Sequence, residues 1–130
     1  MNNANGIAQT PDRSALLVVK SNTGQLFRVD PRTGKARVVD LGGYALTKGD
    51  GLLVEGRTLY VVQNRLNRVA VLELNRFGSR GELVRVLTDP DFDVLTTVAS
   101  FRRSLYLPNA RFGIASPETA EYWVTRIDKR

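Results

Sequence analysis

Lys48 to Arg68, KGDGLLVEGRTLYVVQNRLNR, packs two short strands and two turns into twenty-one residues. An Asp-Gly step leads into the apolar run Leu52 to Val54. A Glu-Gly-Arg turn then connects it to Thr58 to Gln63, which is rich in β-branched and aromatic residues. Short apolar runs bounded by glycine and polar turns are typical of paired β-strands. This stretch therefore predicts β-structure without helices.

The same pattern occurs once before this stretch and once after it. Ala15 to Val19 aligns with Thr58 to Val62 at an offset of 43 residues, and Ser104 to Pro108 follows at an offset of 46. A period of this length with several strands per unit is typical of β-propeller blades, which must stack on one another. The sequence therefore predicts an all-β propeller arc with blades at 4–46, 47–91 and 92–130.

Each predicted blade begins with an inner strand that lies near the central channel. In the first blade the predicted strands are Asn5 to Ala8, Leu16 to Lys20, Gln25 to Asp30 and Ala36 to Leu41. In the second they are Asp50 to Val54, Thr58 to Gln63, Arg68 to Leu74 and Glu82 to Thr88. In the third they are Thr96 to Ala99, Leu105 to Asn109 and Tyr122 to Asp128.

The third blade is predicted to be incomplete. Residues 110–121, ARFGIASPETAE, form an insertion before its third strand, and no fourth strand follows before Arg130. Pro108 cannot donate a ladder hydrogen bond, so it is expected at an edge or a bulge.

The composition excludes several classes of protein. With 42% hydrophobic and 25% charged residues, the chain is expected to be a soluble globular protein. No apolar run approaches the roughly 20 residues of a membrane span, and MNNANGIAQ lacks the features of a signal peptide. The net charge of +6 comes from Lys and Arg spread over all three repeats. This spread predicts that the basic residues lie in exposed turns and help to keep the protein in solution, and it predicts no nucleic-acid partner.

The chain has no cysteine and no histidine, which limits its chemistry. Thiol nucleophiles, Ser-His-Asp triads and histidine-ligated zinc or iron are excluded within these residues. Carboxylates, amides, hydroxyls, Lys, Arg and Tyr remain. A bound metal would be a hard cation on oxygen ligands, such as calcium or magnesium.

Several of these motifs resemble the senescence marker protein and gluconolactonase family of six-bladed propellers. The resemblance is carried by Asn5 to Ala8 followed by Thr-Pro-Asp, by Leu-Phe-Arg-Val-Asp-Pro-Arg-Thr-Gly, and by Asp50 to Leu53. Thr96-Thr97 and Asn109 to Phe112 are similar to the last blade of bacterial members. The resemblance spans nearly the whole chain but only the C-terminal half of a family member. It implies a calcium-dependent lactone or ester hydrolase that acts on a lactone or sugar-like molecule.

The resemblance also implies a metal site on the channel axis, where the cation polarises a lactone carbonyl or activates water. Asn5 would supply an amide ligand, and Asp50 would supply a carboxylate ligand and act as general base. The family's glutamate ligand has no counterpart, because the first carboxylate here is Asp12, in a turn. Asn-Gly and Asp-Gly are also common turn dipeptides, so a purely structural role for both residues stays open.

Three further residues are candidates for the channel mouth. Thr96 occupies the position equivalent to Asn5 and Asp50, where its hydroxyl would face the axis. Asn109 and Arg111 either line the mouth or serve a turn.

Asp89 to Asp93 matches the first positions of an EF-hand loop, but Val94 and Ser100 stand where glycine and glutamate are required. The EF-hand hypothesis therefore fails. A polar connection between blades, or a contact at the channel rim, remains.

Three blades do not close a ring, since propellers have about four to eight. An open arc exposes an apolar sheet face at each end. The predicted partner is a second copy related by a two-fold axis, or a complementing half-propeller, which would restore six blades. Two functions stay open: a metal-dependent hydrolase active in the complete ring, and a propeller scaffold or ligand-binding module without turnover.

Overall fold

The computed structural model describes residues 4–129, which form three antiparallel sheets joined in chain order. The strands of the first sheet are β1 (Ala4–Gln9), β2 (Leu16–Lys20), β3 (Gln25–Val29) and β4 (Ala36–Val38). Those of the second are β5 (Gly49–Glu55), β6 (Thr58–Gln63), β7 (Arg68–Leu74) and β8 (Gly81–Leu87). Those of the third are β9 (Ala99–Phe101), β10 (Ser104–Pro108) and β11 (Val124–Asp128).

The first two sheets are four-stranded meanders in which each strand pairs with the next along the chain. The third has three strands, with β10 between β9 and β11. The predicted all-β class and the incomplete third unit are therefore confirmed. Within residues 4–129, the only helical segment is the 3₁₀ turn Asn64–Leu66, and no helix is suited to crossing a membrane.

The inner strand of the third sheet differs from the prediction. The sequence predicts Thr96 to Ala99, whereas the ladder begins at Ala99 and ends at Phe101. An isolated bridge pairs Leu95 with Asn109, so the pairing is interrupted between these two points. The strand starts later because the pairing register shifts at this point. The same register shift occurs near the start of β1 and of β5.

The sequence predicts Pro108 at an edge or a bulge, and Pro108 lies in the central strand of the third sheet, opposite the interruption between the Leu95–Asn109 bridge and the Ala99–Tyr106 pair. The pairing of β9 with β10 stops at Ala99 and Tyr106, two residues before Pro108. On the other side Pro108 is aligned with Val124 of β11. Pro108 is therefore paired only with β11 and faces the bulged interruption on its other side, so its missing N–H is tolerated there, as predicted.

Two apolar clusters hold the three sheets together. Between the first and second sheets, Leu17, Val19 and Leu26 pack in the cluster that also contains Leu59 and Val61. Between the second and third sheets, the cluster contains Tyr60, Val62, Val69, Leu105 and Leu107. Alternate residues of β6 therefore face opposite neighbours, as period-two side-chain alternation requires. The second sheet is covered on both faces.

The Thr-Pro-Asp turn after β1 is fixed by one carboxylate. Oδ1 of Asp12 accepts hydrogen bonds from the backbone and side chain of Ser14 and from the hydroxyl of Thr10. The bonds from Ser14 and Thr10 lower the pKa of Asp12 to about 2. Asp12 is thus a turn residue, as predicted from its position.

Candidate functional site

The first two sheets approach each other closely at their first strands, and the start of β5 approaches the residues just before β9. A Cβ on Gly6 would overlap the backbone carbonyl of Asp50, and a Cβ on Gly51 would lie 2.5 Å from the Cα of Thr97. The N–H of Gly51 also donates to the carbonyl oxygen of Thr96 at 2.8 Å. Glycine is required at positions 6 and 51 because the neighbouring backbone occupies the space of a side chain. The three inner strands therefore converge.

Strand register makes Asn5, Asp50 and Thr96 equivalent positions. In β1 the pairing shifts between Ala4 and Ile7, and in β5 it shifts between Gly49 and Leu52, so Asn-Gly and Asp-Gly each lie in a β-bulge. In the third sheet, the interruption between Leu95 and Ala99 contains Thr96 and Thr97. Bulges re-aim side chains at the ends of strands and are frequent beside functional sites. The repeat thus places an amide, a carboxylate and a hydroxyl at one recurring position.

Asn5 is exposed and has one hydrogen-bond partner within the first sheet. Its Nδ2 donates to Oγ of Ser21 at 3.1 Å. The buried Ser21 hydroxyl in turn donates to the carbonyl oxygen of Gly49 at 2.5 Å. These bonds connect the start of β1 to the start of β5 and use the amide nitrogen, whereas a cation would bind the amide oxygen Oδ1.

Asp50 is partly buried and is held by the equivalent bond in the second sheet. Asn64 follows β6 as Ser21 follows β2, and its Nδ2 donates to Oδ2 of Asp50 at 3.2 Å. Burial raises the pKa of the Asp50 carboxyl, and the hydrogen bond from Asn64 opposes this rise. A carboxylate with a raised pKa is a stronger base near neutral pH. The direction of this pKa shift is compatible with the predicted general-base role of Asp50, which stays a prediction.

One chain supplies few ligands for a metal. Within residues 4–129, no three His, Cys, Asp or Glu side chains lie together in an arrangement that could hold an ion. The equivalent positions offer the Asp50 carboxylate, the Asn5 amide and the Thr96 hydroxyl. Calcium takes six to eight oxygen ligands, so these residues suit it in kind but need further oxygens from outside the described chain or from water.

Asn109 is buried, and its side chain is used within the third sheet. Oδ1 accepts from the backbone N–H of Asp93 at 2.7 Å. Nδ2 donates to the carbonyl oxygen of Trp123 at 3.1 Å and to the hydroxyl of Thr125 at 2.9 Å. Asn109 therefore ties the connection before the inner strand to the start of β11. Of its two predicted roles, these contacts support the structural one.

Gln63 has the matching role in the second sheet and was not singled out from the sequence. Its buried Nε2 donates to the carbonyl oxygen of Thr47 at 2.9 Å, in the connection before β5. Its Oε1 accepts from the hydroxyl of Tyr44 and from Nε of Arg68. Gln63 and Asn109 are 46 residues apart, which equals the second repeat offset. That shared offset is the sequence signal that would have identified the pair.

Arg111 lies in a cluster at the start of the insertion. Its Nε contacts Oδ2 of Asp93 at 2.8 Å, and its guanidinium stacks 4.8 Å from the centre of the Trp123 ring. One guanidinium nitrogen also donates to the carbonyl oxygen of Glu121 at 2.9 Å. These contacts order residues 111–123 around the Asp93 carboxylate.

The acidic stretch Asp89 to Asp93 connects the second and third sheets. The carboxylate of Asp89 accepts from the N–H of Asp91 at 2.9 Å, which forms a local turn. Phe92 is buried in the cluster between these two sheets. Its backbone neighbour Asp91 accepts a hydrogen bond from the Trp123 indole at 3.0 Å. The stretch is a connection anchored by Phe92.

Replacing Asn109 with alanine is expected to destabilise the fold by about 2 kcal/mol, because buried N–H and hydroxyl partners lose their hydrogen bonds. Urea denaturation would measure the loss. Asn22→Ala is the matched control, since Asn22 is exposed in the turn after β2. Equal stability of the two variants would contradict a tethering role for Asn109.

No family model matches the chain, and no curated protein matches its sequence. Solved structures do match its fold. Hydrazine synthase from Kuenenia stuttgartiensis matches over 99% of this chain and 33% of its own, with a TM-score of 0.69 and 18% identity. A luciferin-regenerating enzyme matches over 95% of this chain and 44% of its own, with a TM-score of 0.66 and 17% identity.

The WD40 repeats of RRP9 match over 85% of this chain and 34% of their own, with a TM-score of 0.60 and 13% identity. WD40 repeats are blades of a β-propeller. The chain is an arc of a β-propeller. The propeller arc predicted from the repeat offsets is therefore confirmed, whereas the narrower resemblance to gluconolactonases stays a prediction.

The arc spans 33 to 44% of the length of the three structures named above. Identities of 13 to 18% establish a common fold but do not transfer an activity. The three sheets can now be called blades one, two and three. Their first strands β1, β5 and β9 correspond to the strands that line the central channel of a closed propeller.

Proposed function

We propose that this arc is part of a metal-dependent propeller hydrolase that opens a lactone or simple ester at the channel axis. The observation that carries the proposal is the recurrence of Asn5, Asp50 and Thr96 at one bulged position of three converging inner strands. Oxygen donors in this arrangement favour a hard divalent cation, calcium above all. The channel mouth of a propeller is a common place for a small ligand.

Asp50 has the central role in the proposed reaction. Its carboxylate either binds the cation or takes a proton from the attacking water, and its raised pKa suits proton transfer. Asn64 holds the carboxylate in place through its bond to Oδ2. A bound cation supplies Lewis-acid polarisation of the substrate carbonyl. Water adds to the substrate carbonyl carbon and gives a proton to Asp50, the ring C–O bond breaks, and that proton passes to the leaving ring oxygen, which yields a hydroxy acid.

The proposal places activity in the completed ring. The three equivalent positions of a single arc offer one carboxylate, one amide and one hydroxyl, which are few ligands for calcium. It also leaves the channel open on one side, so the substrate would not be enclosed by the remaining blades. Catalysis therefore depends on further blades that complete the channel wall.

A second candidate function is a propeller module that assembles or binds a ligand without turnover. Internal hydrogen bonds favour this alternative. Asn5 is bonded to Ser21 and Asp50 to Asn64, so both side chains already have partners that stabilise the bulges. Under this alternative the two residues shape the inner strands and perform no chemistry.

Removal of divalent cations distinguishes the two functions. If the arc forms a hydrolase, the assembled protein is expected to open aliphatic and sugar-derived lactones, and EDTA should abolish that activity. Added calcium should restore it. Magnesium is the comparison ion, because its strict octahedral geometry suits a flexible site less well. A folded, assembled protein without lactone hydrolysis in calcium would overturn the hydrolase and support the scaffold.

A further inference from the structure

Blade one has an apolar face that no other part of the described chain covers. We call it the upstream face and define it by Ile7, Leu16, Val18, Phe27, Val29 and Val38. Register places Ile7 opposite Val18, Val18 opposite Phe27, and Phe27 opposite Val38, so one apolar row crosses all four strands. Ile7 is 59% exposed and Val38 is 56% exposed. This row is the kind of surface that a propeller blade buries against its neighbour.

The two internal junctions show what such a face binds. Leu59 and Val61 face blade one, and Leu105 and Leu107 are the equivalent residues facing blade two. The repeat offsets of 43 and 46 make Leu16 and Val18 their counterparts in blade one. In blades two and three the equivalent face is covered, because it packs on the opposite face of the preceding blade. The upstream face therefore has the side-chain chemistry to receive another blade.

The complementary face lies at the other end of the same chain. We call it the downstream face. Its apolar residues are Ala99, Phe101, Tyr106, Pro108 and Val124, and the strand register places Ser104, Arg126 and Asp128 on the same face. Tyr106 is the counterpart of Tyr60, which packs in the junction between blades two and three. Phe101 is 60% exposed and contacts Tyr106 edge-on, with ring centres 6.3 Å apart. The chain thus carries one free face of each kind.

We propose that a second copy of this chain packs on both uncovered faces, with the downstream face of each copy on the upstream face of the other. The two junctions are related by a two-fold axis along the channel, so the assembly closes. Two copies give six blades, within the range of about four to eight for propellers, whereas three copies would give nine. The assembly does not depend on the proposed hydrolysis.

The exposed area of the chain agrees with this assembly. Its accessible surface is 7760 Å². This is about 900 Å² more than the ~6,800 Å² typical of a compact 14.4 kDa monomer. A stable interface buries about 800 Å² on each partner. An excess of exposed surface is expected of an arc whose two end faces are uncovered.

Sedimentation of the purified chain tests the proposal, and the expected mass is twice 14.4 kDa. Ile7→Asp on the upstream face and Phe101→Asp on the downstream face should each give a folded monomer. Both side chains are exposed in the single arc, so the charge is tolerated there but not inside a junction. Val84→Asp is the matched control. Val84 is 53% exposed on β8 of blade two, away from both faces, and its variant should remain dimeric.

Mixing the two monomeric variants gives a sharper test. A ring formed from one copy of each has one junction in which both faces are unaltered, whereas neither variant alone has such a junction. Mixing should therefore restore dimers to a substantial fraction of the protein. A dimer that Ile7→Asp dissociates but Phe101→Asp does not would mean that two upstream faces pair with each other. That result, or a wild-type chain that stays monomeric at micromolar concentration, would overturn the proposal.

Discussion

Alanine in place of Gly51 is expected to destabilise the fold by about 3 kcal/mol, at the upper end of the cost of an overpacked core. The added Cβ would lie 2.5 Å from the Cα and from the hydroxyl oxygen of Thr97. Because a backbone atom is involved, no change of rotamer relieves the overlap. The inner strands of blades two and three would have to separate. The melting temperature should fall by roughly 10 °C.

Gly34→Ala provides the control for this prediction. Gly34 has a positive φ of 75°, but no atom lies within 4 Å of the position that its Cβ would take. Gly34→Ala should therefore lower the free energy of unfolding by about 1 kcal/mol, because alanine disfavours the left-handed backbone conformation. A Gly51→Ala variant that is no less stable than Gly34→Ala would contradict the close approach of Gly51 to Thr97.

Asp50→Asn is expected to lower lactone hydrolysis at least 100-fold, the usual minimum for loss of a general base. The substitution keeps the size of the side chain but removes the charge and the proton acceptor. Steady-state kinetics at saturating calcium would measure the loss in kcat/KM. Asp91→Asn is the matched control, because Asp91 is an exposed carboxylate in the connection between blades two and three. Unchanged hydrolysis by Asp50→Asn would remove Asp50 from the reaction.

The acidity of Asp50 adds a pH test of the same role. Burial raises its pKa above the ordinary value of 3.8, so the carboxyl takes up its proton at a higher pH than an exposed aspartate. The deprotonated form is the active one, both as ligand and as base. As a general base that is not bound to the cation, Asp50 should make hydrolysis fall as pH decreases through that raised pKa, whereas a carboxylate that binds the cation would titrate at lower pH. The acid limb of the pH profile should be absent from the residual activity of Asp50→Asn.

The repeat made much of the fold predictable from the sequence. β2, β6 and β7 begin and end at the residues that the apolar pattern predicts. The outer strand β4 is shorter than predicted, because it ends at Val38 where the pattern continues to Leu41. Val39 and Leu41 are instead buried in the cluster between blades one and two. The apolar pattern after Val38 therefore predicted correctly that Val39 and Leu41 are buried, but it predicted wrongly that they continue the β4 strand.

The candidate site was less predictable than the fold. The Asn-Gly and Asp-Gly steps identified the bulged positions, but Ser21, Asn64 and Gln63 were missed. These residues are ordinary turn or strand types by composition, and their partners lie 14 to 16 residues away in sequence. Such bonds depend on the register between strands, which a linear pattern does not specify. Aligning the residue after each second strand would have revealed Ser21 and Asn64 together.

The central claim is that Asn5 and Asp50 lie at the hub of a ring built from two arcs. Calorimetric titration with calcium, together with the sedimentation mass, tests it most directly. The account predicts one calcium ion for each pair of chains, and Asp50→Asn should abolish binding. One ion for each monomer, or binding that survives Asp50→Asn, would contradict the shared axial site.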